Sequence, residues 1–231
     1  MLAVVACTRG AQTTPTPGTD GPSTLEAPYI VRAAGAVKPL RGPTDDAAAV
    51  LGLPLIGAAA LPDGVRELRV GDDYSMFVGS PAPVLRLLQR TGRSDGQLVF
   101  VWHEHVAWPK RHRATTCTPW TDSARTCAFI SPVALDWTSV IARFDALGAW
   151  TITADCASES RTMPNGSVEI GMRHITDVGE LHLGRIVGSA GSIYRCNAPR
   201  ARTRTSDGRA AIAIYDYFLD VIKQSGGPPA A

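Results

Sequence analysis

The sequence lacks an apolar run long enough to cross a membrane as a helix. The longest run, residues 47–61, has 15 residues and is interrupted by Gly52, Pro54 and Gly57, whereas a spanning helix needs about 20. An excess of charge is also lacking, because 23 basic and 21 acidic residues leave a net charge of +2. A nearly neutral chain has no general attraction for nucleic acid. We therefore expect residues 47–61 to pack in the core and expect no nucleic-acid partner.

The short motifs that identify common enzyme sites are missing or out of context. Residues 92–96 have the Gly-x-Ser-x-Gly spacing, but they lie between a predicted helix and a predicted strand, whereas a nucleophile elbow needs a strand-to-helix turn. The chain has no His-Glu-x-x-His zinc motif and no phosphate-binding Gly-x-Gly-x-x-Gly loop. The adjacent acids Asp45 and Asp46 are expected at a cap or turn, where they make a poor acid–base dyad. The sequence therefore predicts no catalytic residue and no cofactor, and it favours a binding or scaffolding module over an enzyme.

One short motif is present at the N-terminus. Residues Val4-Val5-Ala6-Cys7 resemble the lipobox of bacterial lipoproteins, in which the cysteine becomes the lipidated N-terminus. A complete signal has an apolar stretch of about 7–15 residues, and only six residues precede Cys7, so the match is either the end of a longer signal or a coincidence. The resemblance implies an extracytoplasmic protein whose lipidated Cys7 anchors it to a bacterial membrane, at the outer membrane or cell surface, with a possible protein partner in the envelope.

Composition divides the chain into four parts. Residues 1–7 are a truncated signal, and residues 8–28 are rich in Thr, Pro, Gly and Ser. A segment of that composition cannot bury enough apolar surface to offset the ordering of its backbone, so it is expected to be a disordered tether. Residues 29–223 are long enough for a single domain with a hydrophobic core. Residues 224–231 are expected to be a flexible tail.

Hydrophobic periodicity predicts an α+β domain. Helices are expected where apolar residues recur at helical spacing or between cap and stop signals, at residues 45–53, 80–92, 136–148 and 210–223. Strands are expected in extended or alternating segments, at residues 65–78, 97–108, 150–154, 168–175, 181–187 and 192–196. The last four strands predict a meander. The expected fold is a curved antiparallel sheet packed by two or three helices, including a C-terminal helix.

Cysteine arithmetic supports an oxidising compartment. Setting Cys7 aside leaves four of the five cysteines, an even number that suits disulfides. Cys117 and Cys127 bracket a short loop, and closing it stabilises the fold by about 3 kcal/mol in the chain-entropy model. The other pair, Cys156 and Cys196, would be about 14 Å apart in a flat meander, beyond the reach of about 7 Å between bridged α-carbons. Their pairing requires residues 157–163 to fold back as a loop, or a strongly curled sheet; free thiols are the alternative.

Histidines provide the alternative, catalytic interpretation. His103 and His105 are two residues apart on a predicted strand and therefore point to the same side. His174 and His182 flank a predicted turn, and a three-residue loop ending at Gly179 would place their rings opposite each other. A register slip of one residue, which would bury more apolar surface, would separate them.

These four histidines, with Glu104 or Glu169, form a candidate zinc site. The protein would then be a metal-dependent extracytoplasmic hydrolase. Nothing in the sequence brings the two histidine pairs together. The favoured interpretation is that they are hydrogen-bonded structural residues and that no metal is bound.

Aromatic and basic residues suggest recognition surfaces. Three of the five tryptophans are expected in the core, namely Trp102, Trp137 and Trp150. The other two flank the cysteine loop and are the candidates for an exposed surface, together with the nearby basic residues Lys110, Arg111 and Arg113; these tryptophans are Trp108 and Trp120.

A second basic segment lies near the C-terminus. Its arginines are Arg195, Arg200, Arg202, Arg204 and Arg209. The favoured interpretation is a solvated loop. The alternative is a contact with an anion or a lipid headgroup.

Overall fold

A seven-stranded antiparallel sheet forms the centre of the fold. The computed structural model describes residues 30–31, 42–72, 80–107, 112–153, 158–162, 168–172, 179–197, 199 and 206–226. The strands are β1 (Ile30–Val31), β2 (Ala59–Ala60), β3 (Arg66–Asp72), β4 (Ala82–Arg90), β5 (Arg93–His105), β6 (Thr116–Pro119), β7 (Ala124–Ile130), β8 (Ser158–Thr162), β9 (Val168–Met172), β10 (Glu180–Val187) and β11 (Ala190–Asn197). The helices are α1 (Pro43–Val50), α2 (Trp137–Ala146) and α3 (Ser206–Gln224).

The strand order of the main sheet is β11-β10-β3-β4-β5-β7-β6, and β1–β2 and β8–β9 form two separate pairs. The sheet is curved and does not close on itself. The predicted α+β class, the curved antiparallel sheet and the C-terminal helix are confirmed.

Helices α2 and α3 cover one face of the sheet, which we call the α2/α3 face. Leu87 and Phe100 from the strands belong to the same buried cluster as Phe144 of α2 and Phe218 of α3. The helical stripes predicted from the sequence therefore bury their apolar sides against this face.

Local signals at both ends of α2 are confirmed. The Oδ1 atom of Asp136 accepts hydrogen bonds from the amides of Thr138 and Ser139, which satisfies two donors that a helix N-terminus leaves unpaired. Gly148 follows the helix with φ of +79°, a conformation in which glycine avoids the steric cost of a Cβ.

Helix α1 covers the opposite face, which we call the α1 face. Ala47 and Val50 pack against Val99 of β5. The chain that follows α1 continues along the same face, where Ile56 packs with Ile186 of β10. Both faces of the central strands are therefore buried.

Strand β4 occupies the segment for which the sequence predicts a helix. Val84, Leu87 and Leu88 have helical spacing, but Leu85 and Arg86 between them are buried too. The helix prediction is wrong because β4 lies between β3 and β5, with both of its faces covered. In a strand of that kind the apolar run is continuous, and periodicity alone does not distinguish it from a buried helix.

The pairing of β10 differs from the predicted meander. β10 pairs with β3 on one side and with β11 on the other, while β9 pairs with β8. The expected loop over residues 157–163 is accordingly wrong for Ser158–Thr162, which is strand β8. The partner β3 lies far earlier in the chain, so local turn signals carry no information about it.

The strand predicted at residues 150–154 is also wrong over its described part, residues 150–153. The amides of Thr151 and Ile152 donate back to the carbonyl of Gly148, so the chain turns after α2. Ile152 is buried in the core cluster of the α2/α3 face. Its apolar character reflects that packing rather than an extended conformation.

Candidate functional site

A disulfide closes the β6–β7 end of the sheet. Cys117 and Cys127 lie directly opposite each other across the two strands, and they are bonded with α-carbons 4.1 Å apart. This bridge was predicted and is confirmed. Cys196 is also disulfide-bonded. Its predicted partner Cys156, like Cys7, lies outside the described residues.

A pocket of about 360 Å³ opens beside this disulfide. It lies between the end of β5, strands β6 and β7, and the segment that precedes β6. The residues that line it are mostly polar or charged: Glu104, His112, Arg113, Ala114, Thr115, Thr116, Cys117 and Arg125. Its volume is at the small end of the range for ligand pockets, about 300–1,000 Å³.

An ion pair crosses the floor of the pocket. Glu104 and Arg125 are opposite each other in the β5–β7 register, and both Nε and Nη2 of Arg125 donate to Oε2 of Glu104, at 3.2 and 3.0 Å. The Glu104 side chain is only 10% exposed. Its second oxygen, Oε1, is buried without a hydrogen-bond partner among the described residues. A buried carboxylate oxygen without a donor is costly.

Arg113 is the second charged group of interest. It is exposed, and it has no hydrogen-bond or ion-pair partner in the described part of the chain. The neighbouring His112 packs the edge of its ring on Trp102, with centroids 5.5 Å apart. Arg113, one of the residues of the predicted recognition surface, therefore lines the pocket beside the disulfide.

The other members of the predicted basic surfaces lie outside the described residues. These are Trp108, Lys110 and Arg111 before the cysteine loop, and Arg200, Arg202 and Arg204 near the C-terminus. Trp102 is buried, and Trp137 and Trp150 pack against the core, as predicted.

On the other side of the same strands, His103 forms a small polar stack. Its Nε2 lies 3.1 Å from Oδ2 of Asp46 and its Nδ1 lies 3.2 Å from Oγ1 of Thr126. The Trp120 ring stacks on the imidazole, with centroids 4.1 Å apart, and remains 48% exposed. The sequence of hydrogen-bonding groups Asp46, His103 and Thr126 resembles a catalytic triad, in which a histidine activates a hydroxyl nucleophile. Thr126 is buried, however, so the arrangement instead fixes the exposed indole.

The histidines do not converge in the described structure. His105 accepts a hydrogen bond from the Ala107 amide. His182 is buried on β10, opposite Gly71 of β3 and Arg195 of β11. Of the two registers considered, the one that would place His174 opposite His182 is therefore not the one adopted by β10. The side chains of His174 and Glu169 lie outside the described structure. β10 and β5 are three strand spacings apart, about 14 Å, which is too far for His103 and His182 to share a metal.

Glu104, Cys117 and Cys127 bring an oxygen and two sulfurs within 4.8 Å of one another. Both sulfurs are in the disulfide, and a metal binds thiolate rather than disulfide sulfur. With the disulfide formed, these three residues therefore offer a metal ion only one ligand, the carboxylate of Glu104. The 3.4 Å approach of Cys127 Sγ to Glu104 is likewise a contact, because that sulfur carries no proton.

Sequence reasoning missed a buried ionic cluster on the α1 face. Glu67 Oε1 accepts from Arg69 Nε at 2.7 Å and from Arg86 Nε at 3.1 Å, and all three side chains are buried. The alternation of charged and apolar residues along β3 is typical of a strand with one wet face. No local signal indicates that the chain around Pro54, whose carbonyl accepts from Arg69, covers that face.

A second pocket, of about 470 Å³, lies among the turns at the other end of the sheet. Its two cations, Arg66 and Arg90, are already engaged. Arg66 donates to Gln89 and Asp145 and lies 4.3 Å from the centre of the Trp150 ring, and Arg90 also has an interaction partner. Because both of these cations already have partners, the pocket beside the disulfide is the better candidate site.

Comparison with protein-family models, with curated proteins and with solved structures finds no match for this chain. Within the described residues, none of the helices combines the length and the apolar composition needed to span a bilayer.

Proposed function

We propose that this protein is an extracytoplasmic binding module, anchored to a bacterial membrane through lipid on Cys7, whose ligand site is the pocket beside the Cys117–Cys127 disulfide. The single observation that carries the proposal is that pocket: it is lined by charged side chains and closed by a covalent bridge. Rigid elements hold binding groups more accurately than free loops do.

The location is supported by cysteine chemistry. Disulfides persist in oxidising compartments and are rare in the cytosol, and Cys117, Cys127 and Cys196 are all disulfide-bonded. The lipobox-like residues at positions 4–7 provide the anchor. One acyl chain gives only marginal membrane binding, so a lipoprotein cysteine with several chains is required.

Replacement of Cys7 at the native locus tests the anchor. We expect wild-type protein in the membrane fraction, with an acylated N-terminal peptide in its mass spectrum, and Cys7→Ser protein without the acyl mass and released from the membrane. Thr8→Ser, which leaves the cysteine intact, is the matched control and should behave as wild type. Wild-type protein found in the cytosol with reduced thiols would overturn the proposal.

A metal-dependent hydrolase is not supported by a specific observation among the described residues, because His182 lies about 14 Å across the sheet from the strand that carries His103 and His105.

A further inference from the structure

In the pocket beside the disulfide, a carboxylate oxygen lacks a donor and a guanidinium group lacks an acceptor among the described residues. The oxygen is Oε1 of Glu104, which is buried. Arg113 presents an exposed guanidinium without an acceptor in the described part of the chain. Both residues line the same cavity.

The charge balance of the pocket favours a ligand that carries both signs. Glu104 and Arg125 neutralise each other through two hydrogen bonds, which leaves Arg113 as the uncompensated charge among the described residues that line the pocket. A simple anion would pair with Arg113 but leave Glu104 Oε1 without a donor. A simple cation would reach Glu104 but meet the positive charge of Arg113.

We propose that this pocket binds a zwitterion of amino-acid size, with its ammonium group donating to Oε1 of Glu104 and its carboxylate paired with Arg113. The inference rests on the binding function proposed above and names its ligand class. A planar guanidinium suits a carboxylate because it donates two parallel hydrogen bonds. The volume of about 360 Å³ suits a small molecule.

The Glu104 carboxylate is already oriented in the absence of ligand, and an ammonium group reaches its Oε1 atom, which has almost no solvent-accessible surface, by displacing the atoms that cover it. Both hydrogen bonds from Arg125 go to Oε2, so the carboxylate is held in one orientation with Oε1 left over. The disulfide packs 3.4 Å from Oε2 and joins β7 to the edge strand. Groups held in their bound geometry lose little entropy on binding.

Titration of the purified full-length chain with L-alanine tests this inference. Binding is followed by NMR through the Nε–H signals of Arg113 and Arg125. Two analogues each remove one charge: N-acetyl-L-alanine lacks the ammonium, and L-alaninamide lacks the carboxylate. We expect saturable binding of L-alanine and at least about tenfold weaker binding of each analogue, because each loses a hydrogen bond to a charged group.

Variants assign the two contacts. Arg113→Gln should weaken L-alanine at least about tenfold and abolish the discrimination against L-alaninamide. Glu104→Gln should abolish the discrimination against N-acetyl-L-alanine. Arg93→Gln is the matched control, since Arg93 is exposed and lies at the other end of β5, about 36 Å away along the strand; its affinity should be that of wild type. Arg113 is at the surface, so its variant keeps the test valid if Glu104→Gln fails to fold.

Three results would overturn the inference. These are no saturable binding up to the solubility limit of L-alanine, equal affinity for acetate or ethylammonium, or equal affinity in the Arg113→Gln variant. Membrane anchoring through Cys7 does not enter this measurement. Failure here therefore leaves the anchored binding module to be judged by its own experiment.

Discussion

The carboxyl group of Asp45 lies buried in the first turn of α1. Burial raises its pKa above the ordinary value, and the positive charges of Arg195 and Arg69 oppose that shift only in part. The folded chain therefore holds this proton more tightly than the unfolded chain does. As the pH rises from about 4, ionising Asp45 lowers the free energy of unfolding.

The Asp45→Asn variant removes this titration. We expect its free energy of unfolding, minus that of wild type, to increase as the pH rises from about 4 through the raised pKa and to stay constant above it. Urea unfolding at a series of pH values measures the difference. Asp45→Ala also lacks the carboxyl group and should show the same pH dependence. A difference that stays level or falls with rising pH contradicts the prediction.

Glu67 bridges two buried arginines and should be the most sensitive charged residue on the α1 face. In Glu67→Gln, the guanidinium groups of Arg69 and Arg86 lose their carboxylate in a buried site, so we expect a loss of about 3–5 kcal/mol in the free energy of unfolding. The matched control is Asp145→Asn, which breaks the surface pair with Arg66 at 2.8 Å and should cost less than about 1 kcal/mol. Similar losses in both variants, measured by urea unfolding, would contradict the buried role.

At the scale of elements, α2 packs on β5 at a position that has no side chain, Gly96. A Cβ atom on Gly96 would lie 2.2 Å from the Trp137 ring, so the first residue of α2 packs directly on the strand backbone. Gly96→Ala should lower the free energy of unfolding by about 1–3 kcal/mol, the usual cost of overpacking.

A double-mutant cycle tests whether that cost comes from the indole. In a Trp137→Ala background the added methyl group has space, and Gly96→Ala should then cost less than in wild type. Thermal or urea unfolding of the four proteins gives the coupling free energy. Equal cost in both backgrounds would show that the strand, rather than the helix contact, requires glycine.

Elements with complete local signals could be predicted from the sequence. Asp136 and Gly148 mark the ends of α2 as they do in the structure, and the alternation in the middle of β5 places Leu98 and Val99 in clusters on opposite faces. β4 could not be predicted. Its apolar residues face two covered sides, so neither a period of two nor a period of 3.6 describes them.

At the scale of the whole molecule, the Cys117–Cys127 bridge restricts the unfolded chain. The two residues are 10 positions apart, and a loop of that length predicts a stabilisation of about 3 kcal/mol. The double variant Cys117→Ala with Cys127→Ala should lose about that amount in urea unfolding. Cys7→Ser, which removes a cysteine but leaves the bridge, is the control. A loss below about 1 kcal/mol in the double variant would show that β6 is held mainly by its other contacts.

The candidate site was predicted only in outline. From the sequence we predicted a recognition surface beside the cysteine loop that includes Arg113. The sequence did not indicate that Glu104 and Arg125 would line the same pocket. Those two meet because β5 and β7 are in register at that point. Register between strands depends on which faces become buried, and that is decided by the whole sheet.

By itself, the sequence determined the features that depend on near neighbours: the caps of α2, the apolar stripe of α3, the short-range disulfide and the lipobox-like start. Only the tertiary structure decided that β3 lies beside β10, that a charged strand face is buried, and that a carboxylate oxygen and a guanidinium group without partners in the described ranges share one pocket. The physical reason is the distance along the chain over which the interactions act. Caps and periodicity act over a few residues, whereas strand pairing and burial join segments that are distant in the chain and leave no mark on either segment alone.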